Sequence, residues 1–291
     1  MINIDVHELR CQKKLLWIAL GIVTTLAVFF SYKAVKPHSE SGLQGYVCLS
    51  TGQPLDFHCK QCALVSNSGQ MLGARKGKEI DQSDCVVRMN IAPTQGYEDD
   101  VGSKTSLRVI SHTSVPLLLR NETRFFRQEA DTVYVVWGPE RNMRQDGKGR
   151  VYNALVKVTE KYPDAHIYML TREKMLECDA IFQNETGKDR IKSGSFLSTG
   201  FFTMILALGM CDSIQVYGMI NDNYCSRANH SMVPYHYYEN GRLDECQMYR
   251  AHEKAARGGH RFITEKAIFA KWATRKNLTF SNPSWAESNT V

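Results

Sequence analysis

Six short runs rich in β-branched, aromatic and other apolar residues recur along the chain at 63–65, 85–89, 108–110, 133–137, 167–170 and 214–217. The stretches between them are long enough for helices, and Val151, Ala154, Leu155 and Val158 stand at i, i+3, i+4 and i+7, one face of a helical period. Strand and helix in alternation predict an α/β fold with one mostly parallel central sheet and helices on both faces. No internal repeat or low-complexity tract interrupts the pattern. The 291 residues therefore hold one large domain behind a short N-terminal segment.

In such a sheet the loops at the carboxyl ends of the strands gather backbone N–H groups and short polar side chains, and a nucleotide or phosphate binds there. The first run breaks into Ser66-Asn67-Ser68-Gly69, and the second ends at Asn90. An amide side chain offers donors and an acceptor, so Asn67 and Asn90 together suit a base, a ribose and a phosphate. Plain connecting turns share this composition.

A second informative stretch, 193–218, contains the apolar run 201–210, too short to cross a membrane and preceded by Ser198, Thr199 and Gly200. It predicts a buried helix. Its first turn is either capped by Ser198 and Thr199 or, through its unpaired N–H groups, open to a phosphate or carboxylate. Toward the carboxyl end, Tyr235, Tyr237 and Tyr238 surround His236, and His260 follows two glycines ahead of a helix bearing Ile268, Phe269 and Trp272. An imidazole titrating near about 6.5 suits proton acceptance in a mildly acidic compartment. A lone loop histidine is otherwise structural or solvated.

Residues 15–32 carry no charge and are just long enough to span a bilayer as a helix. Arg10, Lys13 and Lys14 precede the run and no small-x-small cleavage site follows, which favours an uncleaved signal anchor. The expected organisation is a cytoplasmic tail at 1–14, the anchor at 15–32, a stem at 33–45 and a lumenal domain at 46–291. Lys33 and Lys36 weaken the charge argument for orientation, but sequons at Asn121, Asn184, Asn229 and Asn277 all follow the run. Nine cysteines, one of them Cys11, leave eight beyond the anchor, an even number that suggests disulfides in an oxidising compartment. The pair Cys59 and Cys62 has zinc-knuckle spacing, yet no second such pair follows, and a structural disulfide is the better reading. A net charge of +6 is too mild and dispersed for a nucleic-acid partner, and it is compatible with an acidic substrate.

Taken together, four segments resemble the motifs of the animal sialyltransferases: 62–106 the large motif, 193–218 the small one, 234–238 the third and 260–265 the very small one. Within the family, the stretches 96–102, 111–120 and 185–190 are similar to the α-N-acetylgalactosaminide α-2,6-sialyltransferases, and the short stem and the stretch 67–73 resemble their small-stem subgroup, above all its sixth member. The resemblance implies a Golgi-membrane, type II enzyme with a Rossmann-like variant of the glycosyltransferase A fold, using CMP-sialic acid as donor. It implies CMP contacts from Asn67, Ser68, Gly69, Asn90, Ser198, Thr199, Gly200 and Tyr235, a general base in His260, and in His236 a partner of the departing phosphate. It also implies a disulfide between Cys62 and Cys211, and an inverting transfer to O6 of GalNAc or GlcNAc in a sialylated glycan of a ganglioside or glycoprotein.

No metal or other cofactor is expected: there is no Asp-x-Asp motif, and Glu98, Asp99 and Asp100, if extended, alternate faces. Arg75, Lys76, Lys78 and Arg261 are the cations expected near the cleft to complement an acidic acceptor. A stem of about a dozen residues keeps the site within roughly 45 Å of the bilayer, where glycolipid head groups lie. The alternatives are an α-2,3 or α-2,8 transferase, or a non-catalytic type II membrane lectin, which would need neither the paired asparagines nor His260.

Overall fold

The apolar runs do form strands. The computed structural model describes residues 42–239 and 243–285, and Gly42–Val291 constitutes one compact unit. Among the described residues nine strands, β1 (Leu43–Cys48), β2 (Pro54–Leu55), β3 (Cys59–Val65), β4 (Cys85–Met89), β5 (Leu107–Ser111), β6 (Val133–Trp137), β7 (His166–Leu170), β8 (Cys211–Tyr217) and β9 (Leu278–Ser281), make one sheet in the order β2-β1-β7-β6-β5-β4-β3-β8-β9. From β7 across to β9 every pairing is parallel; only β1 runs antiparallel, to β7 and to β2. The chain winds outward from β3 to β7, then returns to lay β8 on the other side of β3. That reversal opens a crevice at the carboxyl ends of the strands, the usual ligand position in such sheets.

Five helices of ten or more residues occur among the described residues: α1 (Arg150–Lys161), α2 (Arg172–Thr186), α3 (Thr199–Met210), α4 (Glu245–Lys254) and α5 (Phe262–Ala273). Strands β4, β5 and β6 are buried at every position, which requires cover on both faces. Phe201, Phe202 and Met204 of α3, Phe182 of α2 and Phe269 of α5 cover one face. The other carries Leu155 and Val158 of α1 in one cluster and Met71, Ile80 and Tyr237 in a second.

Two expectations need correction. The stem was to reach Gly45, but Leu43 already begins β1, and Gly45 is a strand glycine at φ +84° with the Lys174 side chain lying where a Cβ would stand. The sheet edge thus starts inside a segment whose small and polar residues read as a linker. The disulfide reading at Cys59 and Cys62 holds, and Cys62 bonds Cys211 as the resemblance implies; the two do not bond each other, because three residues apart on an extended strand they lie about 10 Å apart, beyond disulfide reach. Cys59 bonds Cys85, Cys62 bonds Cys211 and Cys225 bonds Cys246, while Cys48 and Cys178 keep buried thiols. Glu98–Val101 is a helical turn, not an extended segment, and Asp100 accepts the N–H groups of Gly73 and Arg75. The anchor at 15–32 lies outside the described residues; among those described, no helix is long and apolar enough to cross a membrane.

Candidate active site

The turn after β3 delivers Asn67, 8% exposed, into the crevice. Its Nδ2 donates to the Met89 carbonyl at 3.4 Å and to the Tyr238 hydroxyl at 3.4 Å, while Oδ1 is buried without a hydrogen-bond partner. A buried, unsatisfied amide oxygen is costly unless a ligand uses it. Asn90 stands at the tip of β4 with φ +49°, a left-handed conformation that asparagine tolerates. Its Oδ1 accepts the Ser111 N–H at 2.9 Å, and the fully buried Arg108 donates to the Asn90 carbonyl at 3.3 Å and the Ala92 carbonyl at 3.0 Å.

Opposite these tips is the start of α3. Ser198 caps it, its Oγ accepting the Phe201 N–H at 3.1 Å, and is itself held by Glu265, which accepts the Ser198 N–H at 2.8 Å and the Ser198 hydroxyl. Thr199 and Gly200 follow on the cleft wall. Glu265, 2% exposed, adjoins Lys266, 5% exposed, whose ammonium lies 3.9 Å from the Tyr249 ring centre. Burial pushes the Glu265 carboxyl up and the Lys266 ammonium down, partly offset by their attraction and by Glu245. Glu245 accepts from Tyr249 at 2.7 Å and from Gln70 at 3.1 Å.

His260 is fixed by a pairing with Phe196 between the two chain segments. Its Nδ1 lies 3.1 Å from the Phe196 carbonyl oxygen; a carbonyl only accepts, so Nδ1 carries the proton and Nε2 is left with a lone pair. Burial depresses its pKa, and His252, stacked at 5.5 Å, adds to that. His236 pairs through Nδ1 with Glu239 Oε2 at 3.1 Å and stacks on Tyr238. Tyr235 packs 4.3 Å from the His236 ring, and burial holds its phenol protonated.

Asn67, Ser68, Asn90, Ser198, Thr199, Gly200, Tyr235, His236 and His260 line one cavity of about 300 Å³. Gly69 does not. Its N–H donates to the Pro234 carbonyl at 3.0 Å and a Cβ there would collide with Pro234, so it serves close backbone approach. The cleft walls also include Trp137, Tyr249, Glu265 and Lys266, to which the reading of the sequence assigned no role. Glu265 was visible inside the last motif; nothing marked Lys266 or Tyr249, because helical charges and aromatics are ordinarily surface or core.

The expected cations are elsewhere. Arg75, Lys76 and Lys78 do not line the cleft; Lys76 pairs with Glu79 at 2.6 Å, and Arg261 donates to the carbonyls of His252, Glu253 and Ala255 at the end of α4. Among the described residues no three metal-ligating side chains cluster. Asn121, Asn184, Asn229 and Asn277 are all exposed.

The profile of glycosyltransferase family 29, the sialyltransferases, matches residues 29–276. The chain belongs to that family. This sialyltransferase is 57% identical over 244 residues to the rat alpha-N-acetylgalactosaminide alpha-2,6-sialyltransferase 3, covering 84% of this chain and 80% of the relative. The human alpha-N-acetyl-neuraminyl-2,3-beta-galactosyl-1,3-N-acetyl-galactosaminide alpha-2,6-sialyltransferase is 56% identical over 83% of this chain and 80% of its own. The human sixth member is 44% identical over 83% and 73%. The subgroup resemblance thus stands, but the third member is more similar than the sixth, which the short stem and the stretch 67–73 favour.

Proposed function

We propose that this sialyltransferase transfers sialic acid from CMP-sialic acid to O6 of GalNAc, or of GlcNAc, in an already sialylated glycan carried by a ganglioside or glycoprotein, forming an α-2,6 linkage with inversion. The observation that carries this reading is the convergence of Asn67, Asn90 and Ser198 with a neutral His260, its Nε2 unprotonated, in one cleft. The names of the relatives support the linkage and the acceptor class.

In this reading the strand-tip asparagines hold the nucleotide, and Thr199 and Gly200 at the start of α3 receive the phosphate. His260 Nε2 takes the proton of the acceptor O6 as the O6–C2 bond forms; the bond from C2 to the phosphate oxygen breaks and its electron pair leaves with CMP. His236 faces the departing phosphate. CMP is already a stabilised anion, so no metal is called on, and we expect activity to survive EDTA; loss restored by manganese would overturn that expectation. The fold is then a variant of the glycosyltransferase A type, and residues 15–32 anchor the enzyme in the Golgi membrane with the domain lumenal.

The test offers the full chain CMP-sialic acid with matched glycans bearing or lacking a terminal α-2,3-sialic acid. The expected product is α-2,6-linked and forms faster on the sialylated glycan. An α-2,3 or α-2,8 linkage would overturn the acceptor assignment, and failure to cleave or transfer from CMP-sialic acid would turn the reading toward a lectin.

A further inference from the structure

The two segments that hold His260 also wall a second cavity. Ser195 precedes Phe196 and Arg261 follows His260, and both line a space of about 320 Å³ together with Lys188, Ser193, Glu253 and Lys254. That volume falls within the range of small-molecule sites, roughly 300–1,000 Å³. Along the chain Phe196 comes between Ser195 of this cavity and Ser198 of the cleft; it is 43% exposed, and its ring lies 6.4 Å from the His260 ring. An exposed aromatic beside a proton acceptor leaves a flat apolar face for the C–H face of a sugar.

The charges of this second cavity are not equivalent. Glu253 is turned to the start of α5, accepting the N–H groups of Ile263 and Thr264 and the Thr264 hydroxyl. Arg261 is committed to the carbonyls at the end of α4. Lys188 and Lys254 are both exposed, and among the described residues neither ammonium is in an ion pair. The hydroxyls of Ser193 and Ser195, 2.9 Å apart, stand by. Two unpaired ammonium groups and two hydroxyls around a sugar-sized space match a polyhydroxylated carboxylate.

We infer that the cavity bounded by Lys188, Ser193, Ser195 and Lys254 binds the carboxylate-bearing sugar already present on the acceptor, with the neighbouring sugar lying over Phe196 and the attacked hydroxyl reaching His260. This rests on the pre-sialylated acceptor proposed above and names its subsite. It also replaces Arg75, Lys76, Lys78 and Arg261 as the source of complementary charge.

The test is initial-rate kinetics of the full chain and of its K188Q/K254Q variant, on the matched glycans with and without terminal sialic acid. The variant should raise the KM of the sialylated glycan by about tenfold, leaving kcat, the KM of CMP-sialic acid and the KM of the unsialylated glycan unchanged. Phe196→Ala should raise the KM of both glycans. A wild-type enzyme that prefers the sialylated glycan, paired with a variant that keeps its KM, overturns the subsite and leaves the proposed function standing. Equal use of both glycans by the wild type overturns the pre-sialylated acceptor and the subsite together. A variant whose donor KM also rises shows the lysines to be structural.

Discussion

One wall of the cleft is made of strand tips and the other of helix ends, and they are held in different ways. Asn67 and Asn90 end parallel strands whose register is set by the sheet, and Arg108 and Ser111 pin Asn90 from the next strand. Ser198 and His260 have no such ladder: Glu265 holds the first and the Phe196 carbonyl the second, each a contact across a long stretch of chain. The sheet wall therefore suits the fixed binding of the nucleotide proposed for it. The helix wall suits a group that must exchange a proton, because side-chain contacts and burial tune it. Substitution of Asn67 or Asn90 should therefore appear in donor KM, and substitution of His260 in kcat.

The largest effect expected is that of His260→Ala, a loss of about 10²- to 10⁴-fold in kcat with CMP binding retained, read by single-turnover rates and titration with CMP. His236→Ala should lower kcat less, since the leaving group needs little help. If His260→Ala instead weakened CMP binding and left the remaining turnover fast, the division of labour between the walls would be wrong.

Next is the link between the walls. Cys62 lies in β3 of the sheet wall and Cys211 directly follows α3, 149 residues later. Cys211→Ser should cost about 2–5 kcal/mol in unfolding free energy, measured by denaturant titration, and should raise donor KM and lower kcat together. A variant that lost stability alone would show that each wall keeps its geometry unaided.

How much of this was legible differs between the walls in the same sense. Strand-tip residues could be found because a buried parallel strand announces itself as an apolar run, and whatever polar residue ends it must lie at the crevice; Asn67 and Asn90 followed directly. The cap of α3 was equally plain from Ser198 before an apolar run. His260 could be singled out from its glycines, but its role and that of Glu265 were legible only through resemblance, since His260 depends on pairing with Phe196 and Glu265 on a partner 67 positions away, and neither contact has a local signature. The same reason hid the Cys59–Cys85 link, the turn of Arg261 into α4 and the two lysines of the second cavity. Gly45 misled in the opposite direction, a strand glycine that carried a linker's composition.

A smaller effect is expected from the sheet wall itself. Asn67→Ala removes the unpaired Oδ1 together with the donor to Met89 and Tyr238, and one lost hydrogen bond to the nucleotide should cost about 1–3 kcal/mol. Donor KM should rise accordingly at unchanged kcat for saturating donor. A fall in kcat with constant donor KM would place Asn67 with the chemistry and break the contrast between the walls.

The smallest effect is a shift in pH dependence, and it tests the helix wall most directly. In its proposed role as base His260 must be neutral, and burial, helped by His252, lowers its pKa below the usual 6.5. As pH falls, kcat should hold through 6.5 and decline at a lower midpoint, because the depressed pKa keeps the imidazole neutral further into the acid range. His252→Gln keeps an acceptor for the His260 N–H, which Nδ1 of His252 now receives at 3.2 Å, but removes the neighbouring charge that forms on acidification. The charged form of His260 then becomes less unfavourable and the midpoint should move up by less than about one unit. A wild-type midpoint above 6.5 would mean that the titrating group is not a buried His260, and an unmoved midpoint in the variant would leave burial as the sole cause of its shift.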